Sequence, residues 1–183
     1  MCYTSENRSI DGSLKVRRQI ILKKQKEYRT HLHFLLEVFT WLFIGSSFCV
    51  AIYGISTLPN KIATHFNIHG LPDGYGSPSS LLIFPIIMTI CLAIISLVIH
   101  VIEPEHWNLP FEVKKENKVF VYKDMITMVL LIELEIAVFT FYIEIKSYYQ
   151  SATGILAMTG IFLLLLILSI IVMCRRAYKH NKR

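Results

Sequence analysis

Four long apolar runs constrain this chain more than any other feature of its sequence. They lie at about 34–55, 80–102, 125–145 and 153–174. Each has about the ~20 residues that a helix needs to cross a bilayer core of ~30 Å at ~1.5 Å per residue. Hydrophobic residues make up 54% of the chain and charged residues only 17%, which excludes an ordinary water-soluble domain. The sequence therefore predicts an all-α integral membrane protein with four transmembrane helices.

The basic residues predict how these helices are oriented. All of the 19 Lys and Arg residues except Lys61 and Lys146 lie before the first run, in the connection at 103–124, or after residue 174. Because cytoplasmic loops are rich in Lys and Arg, we expect both termini and this connection in the cytoplasm, and an outer loop at 57–79. The net charge of +6 is interpreted as orientation and contact with an anionic inner leaflet, with no nucleic-acid partner.

The two ends of the chain are expected to be basic cytoplasmic segments. Residues 1–33 predict an arm that is either an interfacial helix or a solvated segment, and residues 175–183 predict a basic tail. The first 31 residues are too polar and too long for the start of a cleavable signal peptide, so the first apolar run is expected to be a signal anchor. The four cysteines form no CxxC pair, and neither a disulfide framework nor a thiol metal site is expected.

Four acidic residues lie within the apolar runs, where a carboxylate costs ~2.5 kcal/mol or more. Glu133 and Glu135 are near the middle of the third run, Glu144 is near its outer end, and Glu37 is near the inner end of the first. At ~100° per residue, Glu133 and Glu144 share a helix face and Glu135 points almost oppositely. The third helix is therefore expected to have partners on more than one side.

The segment from Leu58 to Ser77 makes up most of the expected outer loop, and it reads L-P-N-K-I-A-T-H-F-N-I-H-G-L-P-D-G-Y-G-S. Pro72-Asp73-Gly74 predicts a turn, because proline presets one backbone angle and glycine accepts a positive one. Two interpretations of the polar side chains stay open. His65 and Asp73 are candidate ligands of a divalent metal, with His69 at helical i,i+4 spacing from His65. Alternatively, these groups hydrogen-bond a tight loop and no cofactor binds.

This segment, L-P-x-x-I-x-x-H-F-N-x-x-G-x-P-D-G-Y-G-S, resembles the signature of the membrane family called domain of unknown function 1648. That domain also forms part of SdpI-type immunity and signalling proteins of Gram-positive bacteria. A second block, Asn108 to Tyr122, resembles the family's segment after the second helix, whereas Pro78 replaces the family's usual lysine. The resemblance implies a recognition loop whose residues are His65, Asn67, Gly70, Pro72, Asp73 and Gly74.

Three functions remain as hypotheses. The first is a non-enzymatic, multi-pass protein of the bacterial plasma membrane, of toxin-immunity or signal-transducing type. Its outer loop would recognise a peptide or envelope ligand, its cytoplasmic segments would recruit a regulator, and it would act alone or as a homo-oligomer. The second is a metal-assisted membrane hydrolase that uses His65 and Asp73. The third is a transporter or accessory subunit that uses the intramembrane carboxylates of Glu37, Glu133, Glu135 and Glu144.

Overall fold

Four long helices form the body of the protein. The computed structural model describes residues 27–67 and 69–183, so most of the predicted basic arm lies outside the described residues. Each helix is long and apolar enough to cross a membrane, and the chain is a multi-pass membrane protein. The helices are α1 (His31–Thr57), α2 (Ile83–Val101), α3 (Lys118–Tyr148) and α4 (Ile155–Asn181).

The helix α3 lies at the centre and packs against α1, α2 and α4. Its seam with α1 is built from positions three or four residues apart, the spacing that keeps side chains on one helix face. The buried positions of α1 are largely small or polar, which allows a close approach of the two backbones. They are His33, Leu36, Thr40, Ile44, Ser47, Ala51 and Gly54.

Three apolar clusters join the helices from one end of the bundle to the other. At the end that carries Tyr28, Leu36 and Ile99 pack against Tyr122 of α3. In the middle, Ile44, Leu92 and Ala137 bring together α1, α2 and α3. The third cluster, Ala51, Ile62 and Leu81, fixes the segment between α1 and α2 to the helices. The connections of the chain are thereby held against both ends of the bundle.

The outer faces of α2 and α4 are apolar and exposed, as expected for surfaces that contact lipid. Leu164 of α4 is 66% exposed and Leu97 of α2 is 62% exposed. The helix α4 is held to α3 by stacked rings of Phe139 and Phe162, whose centroids are 4.5 Å apart. The exposed apolar area of these helices is contiguous, and such an area would be unfavourable in contact with water.

The segment between α1 and α2 contains an antiparallel β-hairpin, which the all-α prediction missed. Its strands are β1 (Ile62–Phe66) and β2 (Pro72–Gly76), and a short 3₁₀ helix (Pro78–Leu82) leads into α2. The turn lies between Asn67 and Gly70, where the Gly70 amide donates to the Asn67 carbonyl. The predicted turn at Pro72-Asp73-Gly74 is wrong, because these residues form β2 and pair with β1.

The opposite end of the bundle, here called the basic end, is closed by contacts between distant segments. Asn181 is buried, its Oδ1 accepts from the Lys114 amide at 2.9 Å, and its Nδ2 donates to the Glu112 carbonyl at 2.8 Å. Asn117 donates to the Asn181 carbonyl at 3.1 Å. The expected tail after residue 174 is therefore the last part of α4, and it holds the connection between α2 and α3 in place.

Candidate functional site

The hairpin is shaped by a local hydrogen-bond network around Asn67. The Asn67 Oδ1 accepts from the His69 amide at 2.9 Å and from the Leu71 amide at 3.0 Å. The Asn67 amide itself donates to the Leu71 carbonyl at 2.9 Å. Gly70 has a φ of +76°, a left-handed conformation that glycine adopts without steric cost. Asn67 and Gly70 thus define the turn, and the strands extend from it.

The side chains of His65 and Asp73 link the two strands. The His65 Nδ1 and the Asp73 Oδ1 are 2.5 Å apart, and the two side chains are 72% and 45% exposed. His65 pairs with Gly74 across the hairpin, and Pro72 pairs with Phe66. A proline is tolerated there because β2 has β1 as its only strand neighbour in the sheet, so the missing amide interrupts no second ladder.

The metal hypothesis gains no third ligand from this geometry. His65 is in β1, whereas His69 is in the turn, so their spacing is not helical. Within residues 27–67 and 69–183, no group of three or more His, Cys, Asp or Glu side chains is arranged to hold a metal ion. His65 and Asp73 could supply at most two protein ligands there, and a metal site at this pair stays a prediction.

Gln150 anchors the hairpin to the rest of the protein, and sequence reasoning missed it. This residue lies in the connection between α3 and α4 and has a φ of 53°. Its Oε1 accepts from the Ala63 amide of β1 at 2.5 Å, and its Nε2 donates to the Ser147 carbonyl at 2.6 Å. The only signal for this role would have been its position in a very short connection.

The exposed face of the hairpin combines aromatic, aliphatic and cationic groups. Tyr75 is 58% exposed and Leu71 is 62% exposed. The Lys61 ammonium lies 5.3 Å from the centre of the Tyr75 ring, within the range of a cation–π contact. His69 is also exposed. Tyrosine is enriched in the energetically dominant part of protein interfaces, and Tyr75 is exposed in this way.

The four intramembrane acidic residues occupy different environments. Glu37 forms an ion pair with Arg29 at the basic end, and its Oε1 is 3.5 Å from the His100 Nε2. Glu135 faces α4, where the Ser169 hydroxyl donates to its Oε1 at 2.5 Å. Glu133 and Glu144 are 2% and 1% exposed on another face of α3. The expectation that α3 has partners on more than one side therefore agrees with the contacts of Glu135.

Oxygen atoms of three of these carboxyl groups have no hydrogen-bond partner among the described residues. They are the Oε1 of Glu133, the Oε2 of Glu135 and the Oε1 of Glu144. Buried polar atoms are nearly always paired, because an unpaired one forfeits its hydration without compensation. Glu144 is the residue among these three that also lines a cavity at the hairpin end.

The comparisons with known proteins give one match. A model of the family described as Domain of unknown function (DUF1648) matches residues 42–89, from the second half of α1 through the hairpin into α2. No curated protein and no solved structure matches the chain. The second block at Asn108 to Tyr122 lies outside the matched residues, so its assignment stays a prediction. Residues 42–89, about a quarter of the chain, are therefore similar to the domain of unknown function 1648.

Proposed function

We propose that this protein is a non-enzymatic membrane protein of toxin-immunity or signal-transducing type, and that its hairpin recognises a peptide or envelope ligand outside the cell. The observation that carries the proposal is that one set of hairpin residues holds its conformation while another set stays exposed. Asn67, Gly70, His65 and Asp73 are used to hold its conformation. Tyr75 and Leu71 remain exposed, in a fixed arrangement, for contact with a partner.

The orientation in this proposal rests on the distribution of charge. Of the described Lys and Arg residues, Lys61 and Lys146 are the ones that lie at the hairpin end of the bundle. The basic end carries Arg29, the lysines of the connection between α2 and α3, and those of the last turns of α4. By the positive-inside rule, we expect the hairpin outside and both termini in the cytoplasm. The membrane in this proposal is a bacterial plasma membrane. The basic end would face anionic lipid and recruit a regulator.

A rigid hairpin favours recognition because binding then costs little conformational entropy. The contacts of Ile62 with Ala51 and Leu81 and the hydrogen bonds of Gln150 fix β1 to the helices. A preordered surface retains more of its contact energy as affinity than a flexible loop of the same composition. In this proposal the polar residues of the signature stabilise the conformation of the hairpin. The exposed residues beside them make the contacts with the ligand.

The experiment is survival of cells against a panel of antimicrobial peptides and toxins, including peptides encoded near the gene. We expect the intact gene to protect against at least one of them, and Tyr75→Ala to remove most of that protection. Tyr149→Ala is the matched control, because Tyr149 is 70% exposed in the adjacent connection but outside the hairpin. Equal survival with and without the gene across the panel would refute the proposal.

The transporter or accessory hypothesis is the second candidate, and the buried carboxyl groups of α3 favour it. Glu133 and Glu144 lie on one face of α3, eleven positions apart, which corresponds to roughly 16 Å along a helix. The measurement is substrate or proton flux into vesicles with Glu133→Gln and Glu135→Gln. Unchanged assembly and flux in both variants would exclude a role for these two groups.

The hydrolase hypothesis has no comparable support, and it depends on whether the protein binds a metal ion. Metal analysis of the purified protein, with His65→Ala for comparison, measures whether a stoichiometric ion binds. Absence of metal in the intact protein would eliminate a mechanism that depends on His65 and Asp73 as ligands.

A further inference from the structure

A cavity of about 370 Å³ lies at the hairpin end of the bundle, between four elements of the fold. Its walls are β1, the beginning of α2, the end of α3 and the beginning of α4. Its volume is within the range of small-ligand sites in proteins. Because α2 and α4 both line this cavity and both expose apolar faces, the cavity adjoins the membrane-facing surface of the protein.

The wall of this cavity contains one buried acidic group, Glu144. Its side chain is almost fully buried, with a residue exposure of 1%, and its Oε1 lacks a hydrogen-bond partner in the described part of the chain. Lys146 also lines the cavity, but its ammonium lies 5.7 Å from the centre of the Tyr142 ring. Residues two apart in a helix do not face each other, which explains why Lys146 does not neutralise Glu144.

The remaining walls are apolar and suit a hydrocarbon chain. Ile83 and Ile87 of α2, Ile143 of α3 and Ile155 of α4 all line the cavity. Ile83 is 58% exposed and Ile87 is 48% exposed, so the apolar wall continues onto the surface that faces lipid. The site thus combines a buried carboxyl group, a nearby lysine and an apolar wall at the end of the membrane-spanning helices, where lipid headgroups lie.

We propose that this cavity binds the headgroup of an aminophospholipid, with the primary ammonium donating to Glu144 and the phosphate facing Lys146. An ammonium supplies both the opposite charge and the N–H donors that an unpaired, buried carboxyl group requires. The acyl chains lie along the isoleucines of α2 and α4. This site is distinct from the exposed face of the hairpin, and the proposal holds whether or not the hairpin recognises a peptide.

The test compares three lipids that differ in the group offered to Glu144. Phosphatidylethanolamine carries N–H donors, phosphatidylcholine carries a cation without N–H donors, and phosphatidylglycerol carries hydroxyl donors without a cation. The purified protein is reconstituted in nanodiscs that contain equal amounts of the three lipids, and the retained lipids are quantified by native mass spectrometry. We expect phosphatidylethanolamine to be retained at least about ten-fold more than either of the others, as for a charge-assisted hydrogen bond.

Two variants and one control assign that preference to the cavity. Glu144→Gln removes the charge with little change in shape and is expected to abolish the preference. Ile87→Trp places a larger side chain in the apolar wall at a half-exposed position and is expected to reduce retention of all three lipids. Glu135→Gln is the matched control, because Glu135 is a carboxyl group of the same helix that bonds to Ser169 instead. Size-exclusion chromatography selects folded protein for each variant.

Three results would overturn the proposal. The first is equal retention of the three lipids by the unmodified protein. The second is an undiminished preference in folded Glu144→Gln together with undiminished lipid retention in folded Ile87→Trp, since the lipid would then bind elsewhere. The third combines two observations. The protein shows no lipid preference, and a lysine-containing amphipathic peptide, added to the protein in phosphatidylcholine alone, protects the cavity from a chemical label. The cavity would then be assigned to a peptide.

Discussion

Gly74 is a residue at which the hairpin has no room for a side chain. A Cβ atom at this position would lie 2.8 Å from the Cβ of His65, closer than two such atoms approach in proteins. Neither atom is the end of a flexible side chain, so the strands themselves would have to separate. The close approach of β1 and β2 at this pair also brings His65 and Asp73 together. A glycine is therefore required here for shape.

Gly74→Ala is predicted to destabilise the hairpin by roughly 1–3 kcal/mol, the usual cost of forcing an extra methyl group into a packed position. Hydrogen–deuterium exchange measured by mass spectrometry should show at least about five-fold faster exchange in residues 62–76, since 1 kcal/mol is about a five-fold change. Gly45→Ala is the control, because a Cβ at Gly45 meets no atom within 4 Å. Equal exchange in the two variants would contradict the prediction.

At the scale of the elements, polar groups join α3 and α4 both at the basic end, where Asp124 pairs with Arg176 and His180, and within the apolar part of the helices. The hydroxyl of Ser169 donates to the Glu135 carboxyl group, and the buried residues of α4 lie close to the basic end. A hydrogen bond between membrane helices contributes ~0.6 kcal/mol on average and up to ~1.7 kcal/mol. We expect the bond from Ser169 to contribute more than this average, about 1 kcal/mol, because Glu135 lies in an apolar stretch of α3.

Ser169→Ala is predicted to lower the melting temperature of the purified protein by about 2–4 °C, which corresponds to about 1 kcal/mol in a chain of this size. Thermal unfolding in one detergent, followed by fluorescence or circular dichroism, is the measurement. Ser46→Ala serves for comparison, since the Ser46 hydroxyl donates to Leu42 within its own helix. A melting temperature that falls no further for Ser169→Ala than for Ser46→Ala would argue against this contact.

The helices were predictable from the sequence and the hairpin was not, for a physical reason. An apolar run of about 20 residues has one stable form in a bilayer, a helix, because its backbone groups must pair within the segment. The strand β2, Pro72–Gly76, contains proline, aspartate and two glycines, which are all rare in strands. Its conformation depends on pairing with β1 and on the turn set by Asn67, contacts that no local pattern encodes.

The positions of the candidate site residues in the fold were predictable in part. The segment that the sequence singled out forms the hairpin, and it contains His65, Asn67, Gly70, Pro72, Asp73 and Gly74. The attachment of the hairpin to the helices was not predictable, because Gln150 bonds to Ala63 from a distant connection. The separate environments of Glu135 and Glu133 followed from helix periodicity. The cavity beside Glu144 required the three-dimensional arrangement of β1, α2, α3 and α4.

At the scale of the whole molecule, the orientation in the membrane connects the hairpin to its proposed ligand and the basic end to the cytoplasm. His69 and Arg183 are exposed residues at the two opposite ends of the bundle. Each can carry a single cysteine in a variant without the native cysteines Cys2, Cys49, Cys91 and Cys174. A maleimide that does not cross membranes then reports which end faces the outside of an intact cell.

We predict that His69→Cys is labelled in intact cells and that Arg183→Cys is labelled only after the membrane is permeabilised. The physical reason is the concentration of Lys and Arg at the basic end, which opposes its transfer across the membrane. Labelling of both variants after permeabilisation controls for accessibility of each thiol. Labelling of Arg183→Cys alone in intact cells would invert the topology, place the hairpin in the cytoplasm and remove the basis for recognition of an external ligand.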